Sequence, residues 1–223
     1  MNATVVKVGG SLAAYPEKLR ALCIRLSEVS KKHRLIVVPG GGEFADIVRS
    51  LDEKFSLSCG VSHRMAILGM DQYGLLLSDL IPNSVTVCKL EELHCSLDSG
   101  GLPVFLPSKL LFQDDELDNS WNVTSDSIAV YIALRLQVQK VLLVTDVDGI
   151  YSSDPKTVSN AQLIANLSAS ELLAMNKRTS VDNAMPKLLM KAPVSCFVVN
   201  GLFPERIEAI LDGQESVCTV IKA

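Results

Sequence analysis

Two glycine-rich turns hold the residues whose types and spacing are most specific for chemistry. In one, Pro39-Gly40-Gly41-Gly42-Glu43-Phe44 follows an apolar run, Leu35 to Val38, that reads as a buried strand. It leads into a helical pattern of Phe44, Ile47, Val48 and Leu51. In the other, Lys7-Val8-Gly9-Gly10-Ser11 closes a second apolar run, Thr4 to Val8. Glycines leave the backbone bare, so its N–H groups and the start of a following helix approach an anion closely. Two such turns at two strand ends suit two neighbouring anions, or one anion held from both sides. A phosphoryl transfer needs that arrangement.

Other residues fit the same chemistry. Lys7 alternates with Val6 and Val8 and so points to the other face of its strand. A lysine near the end of an apolar strand is costly unless it meets an anion; the alternative is an exposed edge position. Asp126, at the start of a helical pattern, is either a cap or the group that holds lysines in place, with Lys7 and Lys187 as the lysines. Thr145 to Tyr151 follows the strand Val141–Val144, where ligands bind in open α/β sheets. There Asp146 and Asp148 suit nucleotide hydroxyls, a lysine or a hydrated Mg²⁺, and Gly149 suits the tight bend; a plain acidic turn is the alternative. His63 and Arg64, opening a long helix after Gly60, are either structural or ligands for a substrate anion. Trp121 reads as a packing residue. No GxxxxGK[ST] occurs, and no GxGxxG follows a strand, so neither a P-loop nor a Rossmann dinucleotide site is supported.

The elements that must position these residues alternate between strand-like and helix-like patterns, which points to an α/β fold with a mainly parallel sheet. After the first strand, Leu19, Leu22, Cys23 and Leu26 form a helical face begun near Pro16. A longer helix spans roughly Gly60 to Leu80, and Ser84–Val87 and Pro103–Leu106 read as strands around a polar turn at Asp98–Gly101. Gln113 to Asn119 is acidic and aperiodic, the expected seam between an N-terminal lobe (1–118) and a C-terminal lobe (119–223) that share one sheet. Beyond it come the helix begun by Ser125-Asp126, the strand Val141–Val144 and a turn at Asp154-Pro155. Helices at Ser168–Met175 and Pro186–Met190, strands at Val194–Val199 and Val217–Ile221, and a helix between Pro204 and Gly213 complete the chain.

Composition excludes several classes. With 223 residues, 48% of them apolar and 21% charged, the chain is long enough to bury a sizeable core. A net charge of −4 and the lack of any basic block argue against nucleic acid as a partner. The densest basic run, Lys31-Lys32-His33-Arg34, suits a helix C-terminus. No apolar stretch reaches a membrane span, and the sequence enters a strand with no signal-peptide pattern, so a cytoplasmic protein without a membrane partner is expected. The six cysteines form no CxxC pair and read as reduced, mostly buried thiols; the three histidines lack metal-ligand spacing, so no protein-held metal is expected.

Lys7-Val-Gly-Gly-Ser11, Pro39-Gly-Gly-Gly-Glu-Phe44, Thr124-Ser-Asp-Ser127 and Thr145-Asp-Val-Asp-Gly-Ile-Tyr151 occur in the order and spacing of the amino acid kinase family, which the chain resembles over almost its whole length. The resemblance implies an open αβα sandwich, with ATP and its Mg²⁺ in the C-terminal half and the phosphoryl acceptor in the N-terminal half. It gives Lys7 the transferring phosphoryl group, and Gly9, Gly10, Ser11 and Gly40 to Gly42 the phosphates. Asp126 becomes the organiser of the lysines, and Thr145, Asp146, Asp148, Gly149 and Tyr151 the lining of the nucleotide pocket. Ser62-His63, Leu106-Pro-Ser-Lys109, Ser120-Trp121, Thr179-Ser-Val-Asp182 and Pro204-Glu-Arg206 are similar to a branch whose acceptor is an aminomethyl-furan phosphate, converted to its diphosphate. Isopentenyl phosphate and UMP are the alternative acceptors.

That branch implies His63 on the substrate phosphate and an acid, Asp71 or Asp182, on its ammonium. One departure stands out: many members carry Gly-Gly-Met with a second catalytic lysine three residues on, whereas here Thr179-Ser-Val-Asp-Asn-Ala-Met-Pro-Lys187 leaves Lys187 as the expected substitute or a surface lysine. A homo-oligomer is expected. A non-catalytic anion or nucleotide sensor of the same fold is the rival from another class, and Lys7 together with Asp126 counts against it.

Overall fold

β1 (Thr4–Val8) is the strand onto which the sheet is built from both sides. The computed structural model describes residues 3–114, 116–153, 155, 157–158, 160–175, 179–191 and 193–223. After β1 come a 3-10 turn (Gly10–Ala14), α1 (Pro16–Val29), β2 (Leu35–Pro39), α2 (Gly42–Phe55) and α3 (Cys59–Leu80). Then follow β3 (Ser84–Val87), α4 (Leu90–Asp98), β4 (Leu102–Phe105) and α5 (Ser108–Gln113). The second half holds α6 (Ser125–Arg135), β5 (Lys140–Thr145), β6 (Ile150–Tyr151), β7 (Leu163–Ile164), β8 (Asn166–Ser168) and α7 (Ala169–Ala174). It ends with α8 (Met185–Leu189), β9 (Ser195–Asn200), α9 (Glu205–Leu211) and β10 (Cys218–Lys222).

Eight strands run in the order β3-β4-β2-β1-β5-β9-β10-β8, and β6 with β7 forms a separate antiparallel pair. β3, β4, β2, β1, β5 and β9 are all parallel, and β10 returns antiparallel to β9. The sheet therefore crosses from the first half of the chain to the second without a break, through the β1–β5 pairing.

Alternation along the strands divides the core into two layers. Val6, Val8, Val37, Leu142, Val144 and Val199 pack with α1, α9 and part of α3; Val5, Ile36, Val38, Val141, Leu143 and Val198 pack with α6 and α8 on the other face. Six consecutive residues of α6, Ile128 to Ala133, are buried, so this helix is embedded rather than amphipathic. Lys7 has the register of Val5 and so faces α6, as alternation with Val6 and Val8 requires.

α4 and α5 were not foreseen. Both are short, and α4 shows its helical period only in Leu90, Leu93 and Leu97, of which Leu93 and Leu97 are buried. The helix expected from Ser168 starts one residue later, because Ser168 caps it in a reciprocal pair with Glu171. Asp154 of the expected turn and Asp115 of the expected seam lie outside the described residues. All six cysteines are free, with Cys23, Cys196 and Cys218 buried, half of them rather than most. Burial pushes the Cys23 thiol up to about 12, which suits an inert packing group. Among the described residues no helix is long and apolar enough to cross a membrane.

Candidate active site

The carboxyl ends of β1, β2, β5 and β9 lie in register, with Val8 opposite both Pro39 and Val144, and Thr145 opposite Asn200. The two glycine turns leave this edge side by side. A Cβ on Gly10 would lie 2.2 Å from the Cα and N of Gly42, and one on Gly40 would lie 2.7 Å from the Gly10 nitrogen. Only bare backbone packs that closely, and Gly42 adds a left-handed φ of 56°. Gly9 donates its N–H to the Val144 carbonyl at 2.7 Å, and Gly40 donates to Val8 at 2.8 Å. Those two amides are consumed by the sheet, so Gly9 and Gly40 shape the turns instead of offering their N–H groups to a phosphate.

Gly10, Ser11, Gly41 and Gly42 line a cavity of about 360 Å³. α2 starts at this cavity with Gly41 as its cap residue and no side-chain capping bond, so its first-turn N–H groups are placed as an anion site requires. Tyr73, buried on α3, holds the turns together. Its hydroxyl donates to the Gly9 carbonyl at 3.3 Å and its ring lies against Gly42.

Lys7 forms the floor. Its Nζ lies 2.8 Å from Asp126 Oδ1, and both residues are only 7% exposed. A buried pair of this kind adds little net stability, but removing one partner strands the other charge at a cost of about 3–5 kcal/mol. Asp126 is not the cap of α6. Asp182 takes that role, accepting from Thr124 N–H at 2.8 Å and Ser127 N–H at 3.0 Å, while also accepting from the amides of Ala184 and Met185. Burial, with Asp126 close by, raises the Asp182 pKa, and the bonds from Ser127 and Thr124 offset part of the rise. Asp126 is thereby left to Lys7. Asp182 has both oxygens engaged and does not itself line the cavity, although Thr124, which it binds, does.

His63, 6% exposed, and Ser62 line the cavity from α3. Trp121 closes it from the other side, its indole N–H donating to Asp52 at 2.7 Å and the Arg49 guanidinium standing 4.8 Å over its ring. Three expected residues lie elsewhere. Arg64 is exposed and stands over the Phe112 ring at 5.6 Å, because it follows His63 by one position and turns about 100° around α3. Asp71 accepts from the Ser108 hydroxyl and, at 3.2 Å, from its N–H, so it fastens α3 to the start of α5; burial raises its pKa and the Ser108 bonds offset part of that. Lys187 is exposed on α8 and lines a separate depression with Asp118, Asn122 and Leu173.

On the C-terminal side, Thr145, Asp146, Asp148 and Tyr151 are half-exposed at the end of β5. Asp148 accepts from Asn200 Nδ2 at 2.9 Å, from Arg206 at 2.5 Å and from the Tyr151 hydroxyl at 3.4 Å. Burial pushes its pKa up, but the bonds from Asn200 and Arg206 outweigh it and hold the carboxyl below the usual range. Gly149 is required there, since a Cβ would lie 2.4 Å from Thr219 Oγ1. Tyr73, Asn200 and Arg206 carry this geometry without having been singled out for it. Tyr73 was legible only as the polar member of the buried series Met70, Tyr73, Leu77.

The fold and the paired turns define a phosphate-handling α/β protein, and comparison with known proteins agrees. The amino acid kinase family model matches residues 2–200, and the chain belongs to that family. It is 37% identical over 219 residues to the [5-(aminomethyl)furan-3-yl]methyl phosphate kinase of Methanocaldococcus jannaschii, covering 97% of this chain and 96% of that relative. Among solved structures, uridylate kinase from Archaeoglobus fulgidus superposes with a TM-score of 0.78 at 23% identity, covering 98% of this chain and 99% of that one. The isopentenyl phosphate kinase of T. acidophilum gives 0.67 at 24% identity, covering 98% and 99%. Both likenesses establish the αβα fold.

Proposed function

We propose that the protein is an ATP-dependent kinase that converts [5-(aminomethyl)furan-3-yl]methyl phosphate to its diphosphate, a step of methanofuran biosynthesis. The observation that carries the reaction class is the buried Lys7–Asp126 pair beneath two touching backbone turns. The acceptor comes from the relative of that name, which matches nearly end to end.

In this reading an acceptor phosphate oxygen attacks the γ-phosphorus of ATP. The bond to the β-bridging oxygen breaks, and ADP leaves with the electron pair. The acceptor is already an anion and needs no strong base, so the residues act by position and charge. Gly10, Gly41 and Gly42 direct backbone N–H groups at the phosphates, His63 holds the acceptor phosphate, and Lys7, aimed by Asp126, neutralises the group in transfer. Thr145, Asp146 and the turn built on Asp148, Gly149 and Tyr151 seat the nucleotide. A Mg²⁺ ion would be held by the hard oxygens of the nucleotide phosphates. Such an ion would supply charge neutralisation to the group in transfer.

The lining bears on the acceptor. A terpenoid tail asks for an apolar tunnel, yet Glu43, Asp46 and Arg49 are on this wall; a pyrimidine asks for in-plane amide-like partners, and no Asn or Gln lines it among the described residues. We also infer a cytoplasmic protein that assembles with its own kind. Val61, Leu68 and Leu75, exposed at seven-residue intervals on α3, make an apolar stripe suited to a second copy. Coupled ADP release measured with the furan phosphate, isopentenyl phosphate and UMP tests the function. Turnover on the furan acceptor above the other two is expected. Preference for UMP overturns the acceptor, and no turnover on any of them favours the non-catalytic sensor.

A further inference from the structure

We propose that Glu43 is the counter-ion for the acceptor's ammonium group, and that it selects an amine-bearing phosphomonoester over uncharged ones. This inference rests on the furan acceptor assigned above. Size does not make the choice, since a cavity of about 360 Å³ falls in the range of roughly 300–1,000 Å³ that takes drug-sized ligands. The selection must come from the chemistry of the wall.

Among the described residues, three carboxylates line the cavity: Glu43, Asp46 and Asp126. Asp126 is bound to Lys7 at 2.8 Å, and Asp46 is bound to Arg49 at 2.5 Å. The lysine and arginine of the wall are thus each matched. Glu43 makes no ion pair or hydrogen bond among the described residues, and it is the surplus negative charge of the wall. The two acids once eligible for the ammonium, Asp71 and Asp182, are committed to Ser108 and to the start of α6. Glu43 stands in the first turn of α2, where the helix dipole favours an ionised carboxylate.

The same turn presents the N–H groups that take the acceptor phosphate. A free carboxylate beside a phosphate site repels every phosphomonoester. An acceptor that brings an ammonium cancels that repulsion and gains an ion pair. UMP and isopentenyl phosphate bring no cation and meet only the repulsion. Glu43 therefore selects by penalising the wrong ligands as well as by attracting the right one.

The test uses the full chain in a coupled ADP-release assay with two acceptors, the aminomethyl-furan phosphate and its analogue carrying hydroxymethyl in place of aminomethyl. Wild type, Glu43→Gln and Asp46→Asn are compared. Wild type is expected to favour the amine by roughly tenfold or more in kcat/KM, mostly through KM, about the effect of one partly exposed charge pair with its repulsion relieved. Glu43→Gln should weaken the amine acceptor, speed the hydroxyl analogue and bring the ratio near one, while Asp46→Asn keeps the preference. An unchanged ratio in Glu43→Gln, equal loss on both acceptors, or loss of preference in Asp46→Asn instead overturns the assignment. Wild-type turnover of both acceptors without preference removes Glu43's role but leaves the furan acceptor standing. Turnover of neither removes both.

Discussion

The two ends of the site are built differently. On the side we assign to the acceptor, the turns after β1 and β2 contribute backbone, the cavity is walled, and a buried ion pair sits at its floor. On the side we assign to the nucleotide, the turn after β5 contributes half-exposed side chains, and the Asp148 carboxylate is already bound by Asn200, Arg206 and Tyr151. Asp148 thus holds the form of its turn.

Substitutions can break or sharpen this contrast. The largest effect is expected from Lys7→Ala, which should lower kcat by about 10³-fold with ATP affinity nearly intact, as for loss of a group that acts on charge in the transition state. Turnover within tenfold of wild type would remove Lys7 from the chemistry. The stranded Asp126 should also lower stability by about 3 kcal/mol, readable by urea unfolding. Next comes Gly10→Ala, whose methyl group would collide with Gly42. Pushing the turns apart by about an ångström should cost on the order of 10²-fold in kcat, and an acceptor KM change without a kcat change would show that the spacing serves binding only.

Asp148→Asn should behave differently, raising KM for ATP several-fold and leaving kcat within about threefold. Since the folded pKa of Asp148 is depressed, its contribution is present above the ordinary carboxylate range, near pH 3.9. That contribution is lost as pH falls through the lower folded value. The gap in melting temperature between wild type and Asp148→Asn, worth about 1 kcal/mol at neutral pH, should therefore close on acidification; a gap that widens would contradict the sign. The smallest effect is expected from Asp71→Asn. It should leave kcat/KM within about twofold while costing roughly 1 kcal/mol of stability through the Ser108 bonds, and a large rise in acceptor KM would return Asp71 to the substrate.

What the sequence makes legible follows the same divide. Lys7, the glycine turns and the Thr145–Tyr151 turn are contiguous stretches at strand ends, so local pattern finds them. Their pairing across the sheet follows once β1, β2 and β5 are read as parallel neighbours. Asp182 capping a helix that starts at Ser125, or Arg206 reaching Asp148, joins residues more than fifty positions apart through side chains, and no local period encodes that. Arg64 and Asp71 are instructive in the other direction. Arg64 was paired with His63 as its neighbour in sequence, and Asp71 was offered as an acid for an ammonium, but α3 is a continuous helix that carries Arg64 to Phe112 and Asp71 to Ser108.

The phenol wedged beneath the glycine turns has a consequence for conditions of use. Burial, with Cys23 nearby, raises the pKa of the Tyr73 hydroxyl well above its ordinary value, so it keeps its proton in mildly alkaline solution. The spacing between the phosphate-facing loops is therefore set by a strut that does not titrate. Loss of turnover in mild alkali is therefore not expected to come from the Tyr73 contact to Gly9.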